Sequence, residues 1–150
     1  MSRGNPNKRK GTAAERELWK KLQADDPCGK WQSRTRLADG SRRPSPPTHG
    51  FDLWSDARGI YIECKIRNRS ILPPQIESWC VDACLRDFAS RRADGTLLYD
   101  CYVAYRVSGS QYWMFAWFHE NRALFADSML LITAYVFWLA QIKRERKPNA

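Results

Sequence analysis

Glu15, Asp52, Glu63 and Lys65 are the residues whose types and spacing suit hydrolytic chemistry assisted by a metal. Asp52 and Glu63 fall in two β-rich runs, Phe51 to Ser55 and Ile60 to Ile66, on either side of Asp56-Ala57-Arg58-Gly59. A hairpin closed by those four residues pairs Asp52 with Glu63, Leu53 with Ile62, Trp54 with Tyr61 and Ser55 with Ile60. The pleat then sends Leu53, Ile60, Ile62, Cys64 and Ile66 to one face and Asp52, Trp54, Tyr61, Glu63 and Lys65 to the other. Paired residues have Cβ atoms about 4.5 to 5.5 Å apart, so the two carboxylates repel unless a cation lies between them. Mg²⁺, or Mn²⁺ in its place, would relieve that conflict, because it takes hard oxygen ligands and activates water for attack on phosphorus. Lys65, one pleat beyond Glu63, is placed to orient such a water or to stabilise charge on the phosphate. The hairpin alone equally allows a plainer arrangement, with Lys65 paired to Glu63 on a solvated face and Asp52 capping a turn.

A helix upstream bears on that choice. Thr12-Ala13-Ala14-Glu15 has the form of a capping box, which predicts a helix starting at Thr12 and running to about Ala24, where Asp25-Asp26-Pro27 stops it. At about 100° per residue Glu15 lies in the middle of the stripe made by Leu18, Trp19 and Leu22, whereas Glu17 lies opposite with Lys20 and Lys21. An inward acid is costly unless paired or metal-bound, so Glu15 is a candidate third carboxylate, catalytic and metal-ligating like Asp52 and Glu63. It could instead fold back on Thr12 as the reciprocal half of the box. Glu17 reads as a surface residue with Lys21 as its i,i+4 partner.

Residues 1 to 10 carry Arg3, Lys8, Arg9 and Lys10 without an acid and predict a flexible basic arm, followed by one domain over 11 to 146 and a tail over 147 to 150. Trp31 to Arg36 predicts a short strand, and Leu37 to Gly50 a long loop rich in Pro, Ser, Gly and Arg. Pro73-Pro74 opens a helix through about Ser90, with Ile76, Trp79, Cys80, Ala83, Cys84 and Phe88 on one stripe. Leu97 to Val107 and Gln111 to Phe118 predict a second hairpin, and Met129 to Thr133 a further short strand. Thr133 then caps a final helix from Ala134 to about Arg146. These elements alternate as in an α/β domain, in the order helix, strand, hairpin, helix, hairpin, with a C-terminal helix.

Composition sets the outer bounds. The 150 residues, 43% hydrophobic and 27% charged, fit one globular domain and exclude a collagen-like or largely disordered chain. The net charge of +9 favours a polyanionic partner, nucleic acid first. The longest apolar run, Met129 to Ala140, falls short of the ~20 residues of a membrane span, so no membrane is expected. The opening residues lack a secretory signal, and five cysteines without CxxC spacing predict a reduced, cytoplasmic protein, in the host cytoplasm if a virus encodes it.

Three segments carry a resemblance: Lys10-Gly11-Thr12-Ala13-Ala14-Glu15-Arg16-Glu17-Leu18, Gly50-Phe51-Asp52-Leu53 and Ile62-Glu63-Cys64-Lys65. The chain resembles the archaeal-type Holliday junction resolvases, which belong to the restriction-endonuclease-like PD-(D/E)xK nucleases. In that family an acid on the first helix, an Asp and an ExK follow in this order, and Glu15, Asp52 and Glu63-Cys64-Lys65 match them. The resemblance implies a restriction-endonuclease-like core with a central mixed sheet flanked by helices. It also implies a homodimer with two active sites and Mg²⁺-dependent nicking of two strands of a four-way junction. A small hydroxyl residue before the Asp assists the family's chemistry, and Thr48 is its match here. The same core serves nucleases of duplex ends, flaps or specific sites, and a catalytically inactive DNA-binding module is a further alternative.

Positive charge brackets the acids. Lys8, Arg9, Lys10 and Arg16 precede them, Arg34, Arg36, Arg42 and Arg43 lie before Asp52, and Arg67 and Arg69 follow Lys65. Phosphate contact is their natural use, supplying affinity without base specificity, as suits branched DNA read by shape. His49 and His119, the two histidines, have no second ligand at metal-binding spacing and read as surface.

Overall fold

The computed structural model describes residues 6–87, 99–118 and 129–147, the side chains of 6–10 and 87 excepted. Segments with apolar residues every three or four positions form helices: α1 (Pro6–Asp25), α2 (Pro73–Asp87) and α3 (Tyr135–Glu145). Aromatic and β-branched runs form strands β2 (Leu53–Ser55), β3 (Ile60–Arg67), β4 (Asp100–Val107), β5 (Met114–Phe118) and β6 (Leu130–Ala134), preceded by a two-residue β1 (Gln32–Ser33). The strands join in chain order into one six-stranded sheet. Only β3 and β4 run parallel, and α2 supplies the crossover that a parallel pair requires. The chain is thus an α/β domain with a mixed sheet flanked by helices, in the expected order of elements.

The hairpin has three of the four expected pairs, Leu53 opposite Ile62, Trp54 opposite Tyr61 and Ser55 opposite Ile60. The fourth, Asp52 with Glu63, is not formed, because β2 begins at Leu53 and the Asp52 N–H donates to the Ile62 carbonyl. Gly59 turns it with a φ of 66°, where a side chain would be strained. The faces separate as the pleat dictates. Leu53, Ile60, Ile62 and Cys64 pack with Leu18 and Leu22 of α1 and Trp138 and Ile142 of α3. On the other face Trp54, Tyr61 and Val103 pack beneath Ile76, Trp79 and Cys80 of α2.

Three boundaries differ from expectation. α1 begins at Pro6 and passes through Thr12, because proline at a first helical position has no N–H to leave unpaired, so residues 6 to 10 are helix and not part of a flexible arm. No helix end therefore exists at Thr12 for a capping box to close, and that role falls away for Glu15. β1 stops after Ser33, whose N–H takes the Arg36 carbonyl at 3.0 Å in a turn, and Arg36 bridges to Arg42 instead. α3 is preceded by Ala134 without a side-chain cap, since the Thr133 backbone is paired to Phe115 within the sheet. The ends expected near Ser90 and Leu97 lie outside the described residues.

A buried ion pair ties the hairpin turn to the end of α1. Arg58 Nη2 and Nε each lie 2.7 Å from one oxygen of Asp26, and Trp31 Nε1 donates to Asp26 Oδ2 at 2.9 Å. A Cβ on Gly29 would overlap both Trp31 Nε1 and Asp26 Oδ2, so only glycine fits there. Arg58 Nη1 also donates to the Arg146 carbonyl at 2.7 Å, and Arg146 Nη1 returns a bond to the Arg58 carbonyl at 2.8 Å. Cys64, Cys80, Cys84 and Cys101 are buried, Cys28 is exposed, and all five are free thiols. No helix among the described residues is long and apolar enough to cross a membrane.

Candidate active site

β2 pairs with β3 only over Ile60 to Ile62, so from Glu63 onward no strand among the described residues lies beside this edge of β3. Asp52 stands at that departure. Its N–H takes the Ile62 carbonyl at 3.1 Å, and its carboxylate Oδ2 accepts the Cys64 N–H at 2.8 Å, a donor that a strand partner would otherwise satisfy. With the sheet open here, groups from its two faces can meet around β3. Glu63 and Lys65 approach from the α2 face, and Glu15 from α1 on the other.

Glu15 is half-buried beside Ala14, Leu18 and Leu22, which are the buried positions of α1. It thus lies beside the most buried line of the helix, between that line and the half-buried Trp19, which packs against the same core. Burial and then the charges of Asp52 and Glu63 push its carboxyl up to about 7, against the pull of Arg34. Asp52 is raised to about 6 by burial and by Glu63, while the Cys64 N–H, Arg34 and Lys65 oppose the rise. Glu63 is 8% exposed, with Lys65 Nζ 3.6 Å from Oε1 and Arg86 Nη2 3.1 Å from Oε2. Oε2 makes no hydrogen bond even so, so the arginine contact is misaligned.

The three acids therefore influence one another through space. Among the described residues, no three acidic, histidine or cysteine side chains lie close enough to hold one ion as they stand. Their chemistry nevertheless fits a hard divalent cation: the donors are all carboxylate oxygens, one is buried without a hydrogen bond, and two acids are raised by burial first and by neighbouring negative charge second.

Clefts flank the group on both sides of the sheet. One of about 390 Å³ is walled by Glu63, Lys65, Trp79 and Arg86. Another of about 330 Å³ is walled by Glu15, Cys64, Lys65 and Arg67, so Lys65 borders both. A third, of about 300 Å³, carries Arg16, Lys20, Arg34 and Arg36, with Glu15 again in its wall.

The expected basic residues divide. Arg34 is brought to the acids, its guanidinium fixed by the carbonyls of His49 at 2.9 Å and Phe51 at 3.2 Å. Arg16 and Arg36 line the third cleft and are exposed. Arg43 is not a free phosphate contact, because it donates to Gln32 Oε1 at 2.7 Å and lies over the Trp54 ring. Arg67 is half-buried over Trp79. Arg42, Thr48 and Arg69 are exposed, and nothing among the described residues ties them to the acids. The side chains of Lys8, Arg9 and Lys10 lie outside the described residues, as does His119.

Two readings need correction. Glu17 pairs with Arg106 of β4, both oxygens engaged at 2.9 and 3.0 Å, and not with Lys21, whose ammonium lies over Tyr135. A fork-shaped guanidinium anchored on Trp113 outcompetes a flexible lysine on the same helix. His49 is no surface residue. Its ring packs against Trp54 and Tyr61, Nδ1 accepts the Phe51 N–H at 3.2 Å, and burial followed by Arg34 lowers its pKa.

Arg86 is the site residue that sequence reasoning missed. Its spacing of seven from Trp79, a residue on the buried stripe of α2, was the available signal, since such residues share a helix face. No family model, no curated protein and no solved structure matches the chain.

Proposed function

We propose that this chain is a metal-dependent endonuclease with a restriction-endonuclease-like PD-(D/E)xK core, hydrolysing phosphodiester bonds in four-way DNA junctions as a homodimer. The observation that carries the reading is the Asp52 carboxylate seated on the Cys64 N–H where β2 leaves β3, with Lys65 bordering one cleft walled by Glu63 and another walled by Glu15. Asp52, Glu63 and Glu15 would hold Mg²⁺, or Mn²⁺ in its place, which when bound neutralises phosphate charge and lowers the pKa of a water.

The chain's own groups account for the rest. The Cys64 N–H fixes Asp52 Oδ2, which leaves the other oxygen of that carboxylate for ligation. Lys65 Nζ, bordering both clefts, has three donors with which to hold a phosphate oxygen and offset the charge that builds on it. Glu15, once ionised, can accept a proton from the attacking water. Arg16, Arg34 and Arg36 hold the flanking phosphates without reading bases.

The test compares cleavage of a labelled four-way junction with a linear duplex of matched sequence, in Mg²⁺ and in EDTA. Junction cleavage only with metal is the expected result. Equal cleavage of the duplex would move the substrate elsewhere within the nuclease class, and no cleavage of either would end the reading.

A further inference from the structure

Glu63 is met from α2 by an arginine that the chemistry above leaves unused. Arg86 Nη2 stands 3.1 Å from Glu63 Oε2 with its side chain 41% exposed, yet the buried Oε2 makes no hydrogen bond. Its Nη1 is 3.5 Å from the Gly50 carbonyl, at the outer limit of a hydrogen bond, and its plane lies 5.2 Å from the centre of the Phe51 ring. Each contact is loose, so most of the five guanidinium donors are unspent. The side chain also walls the cleft that Lys65 borders.

We propose that Arg86 is an exchangeable counter-charge that becomes a phosphate ligand. With no metal present it offsets the charge of Glu63. A divalent cation on Glu63 repels the guanidinium, which swings over Phe51 into the cleft and takes a phosphate oxygen of the nucleic-acid strand. This role rests on the nuclease reading above. It makes the arginine a competitor of the metal when DNA is absent and a partner of the metal when DNA is bound.

The two halves predict opposite signs, which a merely structural arginine would not give. Calorimetric titration of the DNA-free protein with MnCl₂ should show Arg86→Gln binding about threefold more tightly than wild type. Arg86→Lys, which keeps the charge, should stay near wild type. Fluorescence anisotropy with a labelled junction should show Arg86→Gln weakened about tenfold in CaCl₂ and unchanged in EDTA. Thermal melts should show both variants folded, because the side chain is partly exposed and its contacts are long. Unchanged or weaker Mn²⁺ binding by Arg86→Gln, or unchanged junction affinity in CaCl₂, would overturn the proposal. Glu63→Gln, titrated alongside, separates the two layers. If it loses Mn²⁺ while Arg86→Gln behaves as wild type, only the Arg86 role fails. If it binds Mn²⁺ as wild type does, or wild type binds none, the carboxylate site fails and the nuclease reading with it.

Discussion

The backbone N–H of Cys64 donates to the Asp52 carboxylate across 2.8 Å, in place of the strand partner that β3 lacks at that point. One side chain therefore both terminates a ladder and stands in the acidic group. The coupling, with the bond from the Asp52 N–H to the Ile62 carbonyl, gives Asp52 a defined position.

Asp52→Asn keeps a carbonyl oxygen for the Cys64 N–H and loses the charge, so the fold should survive. Mg²⁺-dependent cleavage should drop at least about a hundredfold, and the same holds for Glu63→Gln. Junction affinity in EDTA should stay within about threefold, because binding rests on the arginines. Single-turnover cleavage and anisotropy on the same preparations check both, and full activity in either variant would remove these residues from the site.

The two glutamates of α1 should part company. Glu15→Gln should cripple cleavage. Glu17→Gln replaces the carboxylate of a charge pair, exposed on the Glu17 side, with an amide whose oxygen can still accept from the Arg106 guanidinium, at about 0.5 kcal/mol, and should leave cleavage near wild type. A melting curve and a cleavage rate for each variant suffice. An inactive Glu17→Gln would mean that the Arg106 contact, and not Glu15, organises the site.

Acid should relieve the metal-free protein at Glu15. Its carboxyl titrates near its ordinary 4.5 when unfolded and about 7 when folded, so between those values the folded state holds more protons, and its stability falls as pH rises. His49, lowered on folding, acts in the opposite sense near its ordinary value of 6.5, so the comparison must be between variants. In EDTA, Glu15→Gln should gain stability over wild type as pH rises from about 5 to about 8, by on the order of 1 kcal/mol once its partial exposure is discounted. Mn²⁺ binding by wild type should tighten over the same range, as ligation needs the ionised acid. Denaturant melts at several pH values measure the first and calorimetry the second; a constant difference between the proteins would contradict the burial of Glu15.

Asp26 is a structural acid. Burial alone would raise its pKa, but the bonds from Arg58 and Trp31 hold it below 3.8, so its stabilisation is present above that value and lost as pH falls. Asp26→Asn leaves Arg58 buried without its counter-charge and should destabilise the domain by about 3 kcal/mol, read from urea melts. A near-neutral effect would show that the Arg146 carbonyl suffices for Arg58.

Local signals made much of this legible in the sequence. The hairpin register follows from alternation over residues 51 to 66 and a four-residue turn, both short-range, and the sheet has that register from Leu53 to Ser55, with Asp52 already off it. The inward tendency of Glu15 followed from helix phase, with Ala14 drawing the buried line to one side of it. What stayed hidden was set by distant partners. Arg106 is 89 residues from Glu17, and Arg58 is 32 from Asp26, so neither pair leaves a local pattern. Thr12 looked like a cap because its residue types fit one, whereas Pro6 could start the helix earlier. The aromatic seat of His49 forms only when the loop end folds over Trp54 and Tyr61.

The reciprocal bonds between Arg58 and Arg146 also bear on how the chain is made. The six strands lie side by side in the order in which a ribosome delivers them, so each can dock on its predecessor as it emerges, with α2 preceding the one parallel addition. Glu15, Asp52, Glu63 and Lys65 are all made before residue 66, but the contacts that fasten the turn between β2 and β3 wait for residue 146. A nascent chain therefore carries every acid of the site before it owns the latch that steadies them, and completion of α3 is the step that ends that interval.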